Sequence, residues 1–255
     1  MSADSVKSNV EWKAWSELDP LYAVASWKGR ERGGANPWTD EEFFAQGAQD
    51  WADFGALWKQ YGCDRAACAE IGCGAGRLTR QLAKDFDVVH ALDVSSSMLE
   101  YARQRDVGPN VEFYLSDGAT IPLAARSVSA VFSTHVFQHF DSIEHGVAYF
   151  GEIARVLRPG GSLMIHLPIY QWPNMPWLYG TFYSLRHRIE SQLAPLQRAL
   201  IKRNLLRPIM RSTHYSTRFL FDSVRAVGFT RPQVTTIAVS SNGSLHSFVM
   251  ASRAA

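Results

Sequence analysis

The sequence predicts an α/β fold, a doubly wound and mostly parallel seven-stranded sheet that ends in an antiparallel hairpin. Three observations lead there. An apolar run ending in Glu70-Ile71 passes directly into Gly72-Cys73-Gly74-Ala75-Gly76 and then into a helix start at Arg77-Leu78-Thr79. A second apolar run, Val88–Leu92, is closed by the acid Asp93. Strand-like and helix-like stretches then alternate as far as Leu167, after which the pattern changes. Glycines between a strand and a helix allow a tight turn and let a ligand lie on the backbone near the positive helix end. Glycine turn, helix, strand and strand-end carboxylate together describe a nucleotide-binding βαβ unit. Its repetition implies parallel strands with right-handed crossovers.

The elements follow in order. Trp12, Trp15 and Leu18 suggest a short amphipathic helix, and Gly29, Gly33, Gly34, Asn36 and Pro37 read as a loop. Thr39-Asp40-Glu41-Glu42 is a capping box, followed by Phe43, Phe44, Trp51, Phe54, Leu57, Trp58 and Tyr61 at roughly helical spacing. That pattern fits two helices or one long one. Residues 1–60 therefore form an N-terminal helical layer packed on the sheet, a lid over the binding site, or both, ahead of a main domain over 61–255. Leu78–Phe86 is the first crossover helix and Val88–Leu92 the second strand. A serine after Asp93 caps a helix carrying Met98, Leu99 and Ala102. Val111–Leu115 is a third strand, followed by Ser116-Asp117-Gly118-Ala119, and Val128–Phe132 a fourth. Gly146–Leu157 is helical, Arg158-Pro159-Gly160-Gly161 a sharp turn, and Ser162–Leu167 a fifth strand, apolar throughout as a buried strand should be. Phe219–Val227 is a helix stopped by Gly228. Val234–Val239 and Ser247–Ala251, joined through Ser240-Ser241-Asn242-Gly243, supply the terminal hairpin.

Composition narrows the classes. The chain has 255 residues and a net charge of +2, so no global charge argues for nucleic acid. Cys63, Cys68 and Cys73 are odd in number and lack paired C-x-x-C spacing, which supports neither a disulfide framework nor a zinc site. Free thiols suit a reducing cytoplasm, and the first residues lack the apolar core of a signal peptide. No run approaches the ~20 apolar residues that span a bilayer.

The glycine spacing separates two nucleotide classes. A dinucleotide fingerprint, G-x-G-x-x-G, would need a third glycine at Arg77, and here the spacing is one residue shorter with Glu70 two places ahead of Gly72. Glu70–Gly76, Ala91–Ser95 with Met98-Leu99, Ser116-Asp117-Gly118, the histidine segment Ser133–Phe140 and Val156-Leu157-Arg158-Pro159-Gly160-Gly161 then occur in order. From about residue 60 to the C-terminus this order resembles the class I S-adenosylmethionine (SAM)-dependent methyltransferases, of the small-molecule type, with their Rossmann-like sheet.

The resemblance implies SAM as cofactor, with S-adenosylhomocysteine as product. It places Gly72, Cys73, Gly74 and Gly76 along the methionine part and Glu70 near its amino end. Asp93 would accept from the ribose hydroxyls, Val94 and Met98 would lie against adenine, and Asp117 would accept from the adenine amino group beside Gly118 or Ala119. Arg77 would reach the SAM carboxylate or stay solvated, and Ser133 belongs to the same implied set. Ser129-Ala130 stands where such proteins often carry an Asp, with no loss of function read from it.

Methyl transfer from a sulfonium needs alignment and a dry site more than acid–base help, and a base matters only for a weakly acidic hydroxyl. No metal is required, and no metal-ligand cluster stands out in the sequence. His135, His139, His166 and Tyr170 are the candidates for catalysis or acceptor contact: His135 and His139 follow the fourth strand, His166 is nearly at the end of the fifth, and Tyr170 comes just after it. His139 has the alternative reading of a loop hydrogen-bonder and His166 that of a core residue. His214 and Tyr215 are further candidates. Acceptor specificity is expected in a helical insertion over 168–217 that opens with Tyr170, Trp172 and Trp177. Between Pro168 and Leu220 the basic residues exceed the single acid, Glu190, by +7. A solvated helix face, an anionic acceptor and a peripheral membrane contact by a basic amphipathic segment all fit that charge.

The expected partner is a small or medium organic acceptor, anionic or amphipathic, methylated on oxygen or nitrogen, by a monomer or homodimer. An RNA (tRNA) methyltransferase using the basic insertion, and a silent partner protein of the same fold, are the alternatives.

Overall fold

Side chains of β1 (Ala67–Ile71) alternate between two cores, which is the signature of a strand buried on both faces. Ala67, Ala69 and Ile71 join one cluster and Cys68 the other. The computed structural model describes residues 7–170 and 214–254.

The chain opens with α1 (Lys7–Leu18) and α2 (Pro20–Val24), then α3 (Asp40–Tyr61). After β1 come α4 (Thr79–Asp85), β2 (Val88–Asp93), α5 (Ser96–Arg103), β3 (Val111–Leu115) and β4 (Val128–Ser133). There follow α6 (Ile143–Val156), β5 (Leu157–His166) and the short β6 (Ile169–Tyr170) and β7 (Tyr215–Ser216). The last elements are α7 (Thr217–Ala226), β8 (Phe229–Ala238) and β9 (Leu245–Arg253). Seven strands make one sheet in the order β3-β2-β1-β4-β5-β9-β8, parallel from β3 to β5, with β9 antiparallel to β5 and to β8. This is the Rossmann-like, mostly parallel sheet with a C-terminal antiparallel hairpin that the sequence predicts. β6 and β7 form a separate parallel pair.

Helices cover both faces. α6 and α7 pack Tyr149, Phe150, Ile153, Leu220 and Val224 on one. α3 and α4 pack Trp51, Phe54, Trp58 and Leu82 on the other, against Phe132, Met164 and Phe248. The capping box at Thr39 starts α3, which runs unbroken for 22 residues. Its indoles also find polar partners, as buried Trp must. Trp58 Nε1 donates to Ser162 Oγ at 3.1 Å, and Trp51 Nε1 to Asp85 at 2.9 Å. α3 is therefore built into the sheet's core, while α1 and α2 pack over α5 in a third cluster with Met98.

Two readings need correction. Pro20–Val24 is a helical turn, capped by Asp19 accepting from Tyr22 N–H, in a stretch to which the sequence reading assigned no element. Arg158–Gly161 is not a turn ahead of the fifth strand but the bulged start of β5. Val128 pairs with Leu157 and Ala130 already with Ser162, so the extra residues loop out at Gly160, whose φ is +79°. The insertion expected over 168–217 lies outside the described residues except at its ends. No helix among the described residues is long and apolar enough to cross a membrane.

Candidate active site

The carboxyl ends of β1, β2, β4 and β5 open into one cavity of about 1510 Å³, bounded above by α1 and α2 and at the side by the β8–β9 hairpin. The sheet dictates this position, since adjacent parallel strands whose crossovers leave in opposite directions part at their ends.

The glycine turn forms the floor. Gly72 and Cys73 both donate their N–H to Leu92 O, at 2.8 and 2.9 Å, which ties the turn to β2. Gly72 has φ +73°, and a Cβ there would come within 2.2 Å of Val136. Gly74 has φ +53°, and a Cβ would come within 2.6 Å of Val24 of α2. The backbone thus touches its cover directly. Asp93 ends β2 with its carboxylate accepting from Gly74 N–H and Ser95 N–H, each at 2.9 Å. Burial raises its pKa and those two amides oppose the rise. Gly72, Gly74, Asp93, Val94 and Met98 line the cavity.

Other predicted residues sit elsewhere. Glu70 is buried behind the turn and accepts from Thr79 Oγ1 at 2.6 Å, and burial pushes its pKa up to about 7. Cys73 and Ser133 are buried, and Ser133 Oγ donates to Ile71 O at 2.9 Å. Gly76 packs against Val107 and Ala102 of the α5 region. Asp117 holds its own turn, accepting from Ala119 N–H, Thr120 N–H and Thr120 Oγ1. It is Ser116 and Gly118 that face the cavity there, while Asn9 of α1 donates to Asp117 O at 2.8 Å. Arg77 is neither solvated nor free. It is buried in an ion pair with Asp50 of α3, and Asp50 also accepts from Gln46 and from Ser241 of the hairpin turn. Asp50 and Arg77 both line the cavity, and nothing local in the sequence marks Asp50.

The far wall is built of histidines. His135 follows β4 with a left-handed φ of +58°, a strained conformation for a residue with a Cβ. His166 ends β5, and His139 meets Trp12 of α1 edge-on at 4.8 Å. A residue that sequence reading missed, His246 of β9, completes the group. Ring centroids of His135 and His166 are 4.3 Å apart, those of His135 and His246 5.1 Å, and those of His166 and His246 5.0 Å. Burial, reinforced by the neighbouring imidazoles, lowers the pKa of His135 well below its ordinary value and that of His166 to about 3. Both are neutral at pH 7. The sequence suggested no ligand cluster because these residues come from three separate strands' ends and share no local spacing. Tyr170 pairs through its backbone with Ser216, and its side chain lies outside the described residues. His214 lines the cavity, whereas Tyr215 is a core residue whose hydroxyl donates to Phe137 O at 2.9 Å.

A family model described as "Methyltransferase domain" matches residues 69–165, which run from the glycine turn through the histidine segment to β5. Malonyl-[acyl-carrier protein] O-methyltransferase of Hahella chejuensis is 31% identical over 145 residues, 52% of this chain and 51% of that protein. Probable tRNA methyltransferase 9B of Mus musculus is 30% identical over 168 residues, 64% of this chain and 32% of that protein. The chain thus spans a third to a half of the length of these curated relatives. Among solved structures, phosphoethanolamine N-methyltransferase 2 of Haemonchus contortus, bound to phosphomonomethylethanolamine and S-adenosylhomocysteine, superposes with a TM-score of 0.58 at 17% identity. The match covers 85% of this chain and 58% of that one.

Proposed function

Because the chain belongs to the class I SAM-dependent methyltransferases, we propose that it transfers a methyl group from SAM to a small or medium organic acceptor held in the same cavity. The observation that carries this reading is continuity: one cavity joins the glycine turn and Asp93 to the histidine wall.

The residues present fit the cofactor. The backbone at Gly72 and Gly74 leaves no room for side chains. Asp93 has two amides holding its carboxylate and still faces the cavity, which suits acceptance from a vicinal diol. Met98 and Val94 offer an apolar wall for a purine, with the Ser116–Gly118 backbone beside it. When bound, SAM supplies an electrophilic methyl on a sulfonium, so the protein's task is alignment and exclusion of water. α1 and α2 close the space, with Val24 over Gly74 and Trp12 at the rim. The Asp50–Arg77 pair joins α3, the glycine turn and the hairpin into one rigid frame.

Histidines with depressed pKa values are poor proton acceptors at neutral pH. His135 and His166 therefore serve first to position an acceptor, and His139 lines the same wall. The related O-methyltransferase supports a carboxyl or hydroxyl oxygen, and the phosphoethanolamine enzyme an amine on an anionic molecule. A second reading, RNA as acceptor, draws on the tRNA methyltransferase relative and on the basic residues between Pro168 and Leu220. Incubation with methyl-labelled SAM, a low-molecular-weight metabolite extract and, separately, total tRNA decides between them. Label in the small-molecule fraction is expected. Label in tRNA alone overturns this reading in favour of the second.

A further inference from the structure

We propose that His135, His166 and His246 form a three-imidazole site for a divalent transition metal of the Zn²⁺ class, with its open coordination position facing the cavity. One ring nitrogen from each residue lies within 4.8 Å of the others. In a tetrahedral site with metal–nitrogen bonds of about 2.0–2.1 Å, ligand nitrogens stand roughly 3.4 Å apart.

Hydrogen bonding points the same way. His246 is buried, and its Nε2 lies 2.9 Å from Ser244 Oγ while its Nδ1 has no partner. An Nε2–H donated to the serine leaves the Nδ1 lone pair free, which is how a second-shell group sets the tautomer of a metal ligand. His166 Nδ1 receives only a long contact, 3.4 Å, from His135 N–H. Among the described residues no carboxylate hydrogen-bonds to any of the three rings, and the Asp50 carboxylate acts on His246 through space only. The unpartnered Nδ1 of His246 is otherwise costly to bury, because a neutral ring carries one N–H and one lone pair that both need partners. The strained φ of +58° at His135 is the kind of cost found where a side chain must be aimed at a site. Three imidazoles suit Zn²⁺ and its neighbours better than Mg²⁺ or Ca²⁺, which prefer oxygen.

Three protein ligands and a vacant fourth position are the pattern of sites that take up a small ligand. The position opens toward the space between the histidine wall and the glycine turn. Resting on the methyl-transfer reading given above, this names the acceptor class: a molecule that coordinates through an oxygen, nitrogen or sulfur donor. The metal would anchor that atom and favour its deprotonated form.

The test uses the full chain, dialysed against EDTA, without any methyl donor. Calorimetry with Zn²⁺ should show saturable binding of a single ion per chain, and Co²⁺ should give the visible bands of a tetrahedral nitrogen site. His166→Gln and His246→Gln should each weaken Zn²⁺ binding by about 100-fold, whereas His90→Gln in β2, a ring beside Glu112 of β3, should leave it unchanged. Binding of S-adenosylhomocysteine by the same variants, expected to persist, reports that they fold and keeps this result separate from the methyl-transfer reading. A wild-type chain that takes up no Zn²⁺ or Co²⁺ saturably, or variants that bind as tightly as wild type, overturns the proposal.

Discussion

At the scale of single residues, the glycine turn and its acids show how environment assigns roles to similar side chains. Glu70 and Asp93 both close apolar strands, and the sequence marks them equally. The fold separates them. Asp93 faces the cavity on two backbone amides, while Glu70 is sealed behind the turn and accepts from the Thr79 hydroxyl. Burial sets the Glu70 pKa at about 7 against an ordinary 4.5. The folded chain therefore holds this proton more tightly than the unfolded one. The Glu70 contribution to stability falls as pH rises between those values, by up to about 1.4 kcal/mol per pH unit, and the loss is complete above pH 7. Glu70→Gln removes the charge and keeps an acceptor for Thr79. Urea unfolding should show the variant gaining on wild type through this window and keeping a constant lead beyond it, and a pH-independent difference would refute the assignment. Burial of this kind depends on which segments pack behind the turn, and no local pattern announces it. The same holds for Asp50, His246 and the inward turn of Arg77. Each acquires its role only when α3 and the hairpin arrive.

At the scale of elements, most of the chain was legible because its signals are local. The capping box at Thr39, the serine cap at Ser95, the apolar runs of β1, β4 and β5, and the stop at Gly228 each appear where the residues suggest. Pro20–Val24 carried a helix signal too, an Asp before Pro, but a five-residue helix shows no periodicity to support it. The segment Arg158–Gly161 reads as a turn because proline and glycine usually make one, yet pairing with β4 absorbs it as a bulge. α2 contributes a direct element-to-element contact, Val24 against Gly74. Gly74→Ala combines that 2.6 Å collision with a left-handed φ that costs an L-residue about 1–2 kcal/mol. Thermal unfolding should show the single variant destabilised beyond the backbone cost. Adding Val24→Ala should restore the part due to the collision and leave the backbone part. Full recovery, or none, would mean that α2 does not rest on the turn as described.

At the scale of the whole molecule, the sheet order places every proposed contact at one edge. β1, β2, β4 and β5 deliver the glycine turn, Asp93, His135 and His166, and the antiparallel β9 brings His246 back to the same end. The donor side was readable from the sequence because its residues are close together in the chain. The acceptor side was not, because its histidines lie on β4, β5 and β9 and meet only in the folded sheet. The central claim is that this edge binds SAM. Calorimetric titration with S-adenosylhomocysteine, run beside the Asp93→Ala variant, tests it most directly. Loss of the Asp93 carboxylate removes charge-assisted hydrogen bonds worth about 1.5–3 kcal/mol, hence about 10- to 100-fold in affinity. Saturable binding by the wild-type chain is expected, weakened to that extent in a variant that still folds. No binding up to about millimolar ligand, the weakest range of specific affinity, or an unchanged dissociation constant in Asp93→Ala, would contradict it.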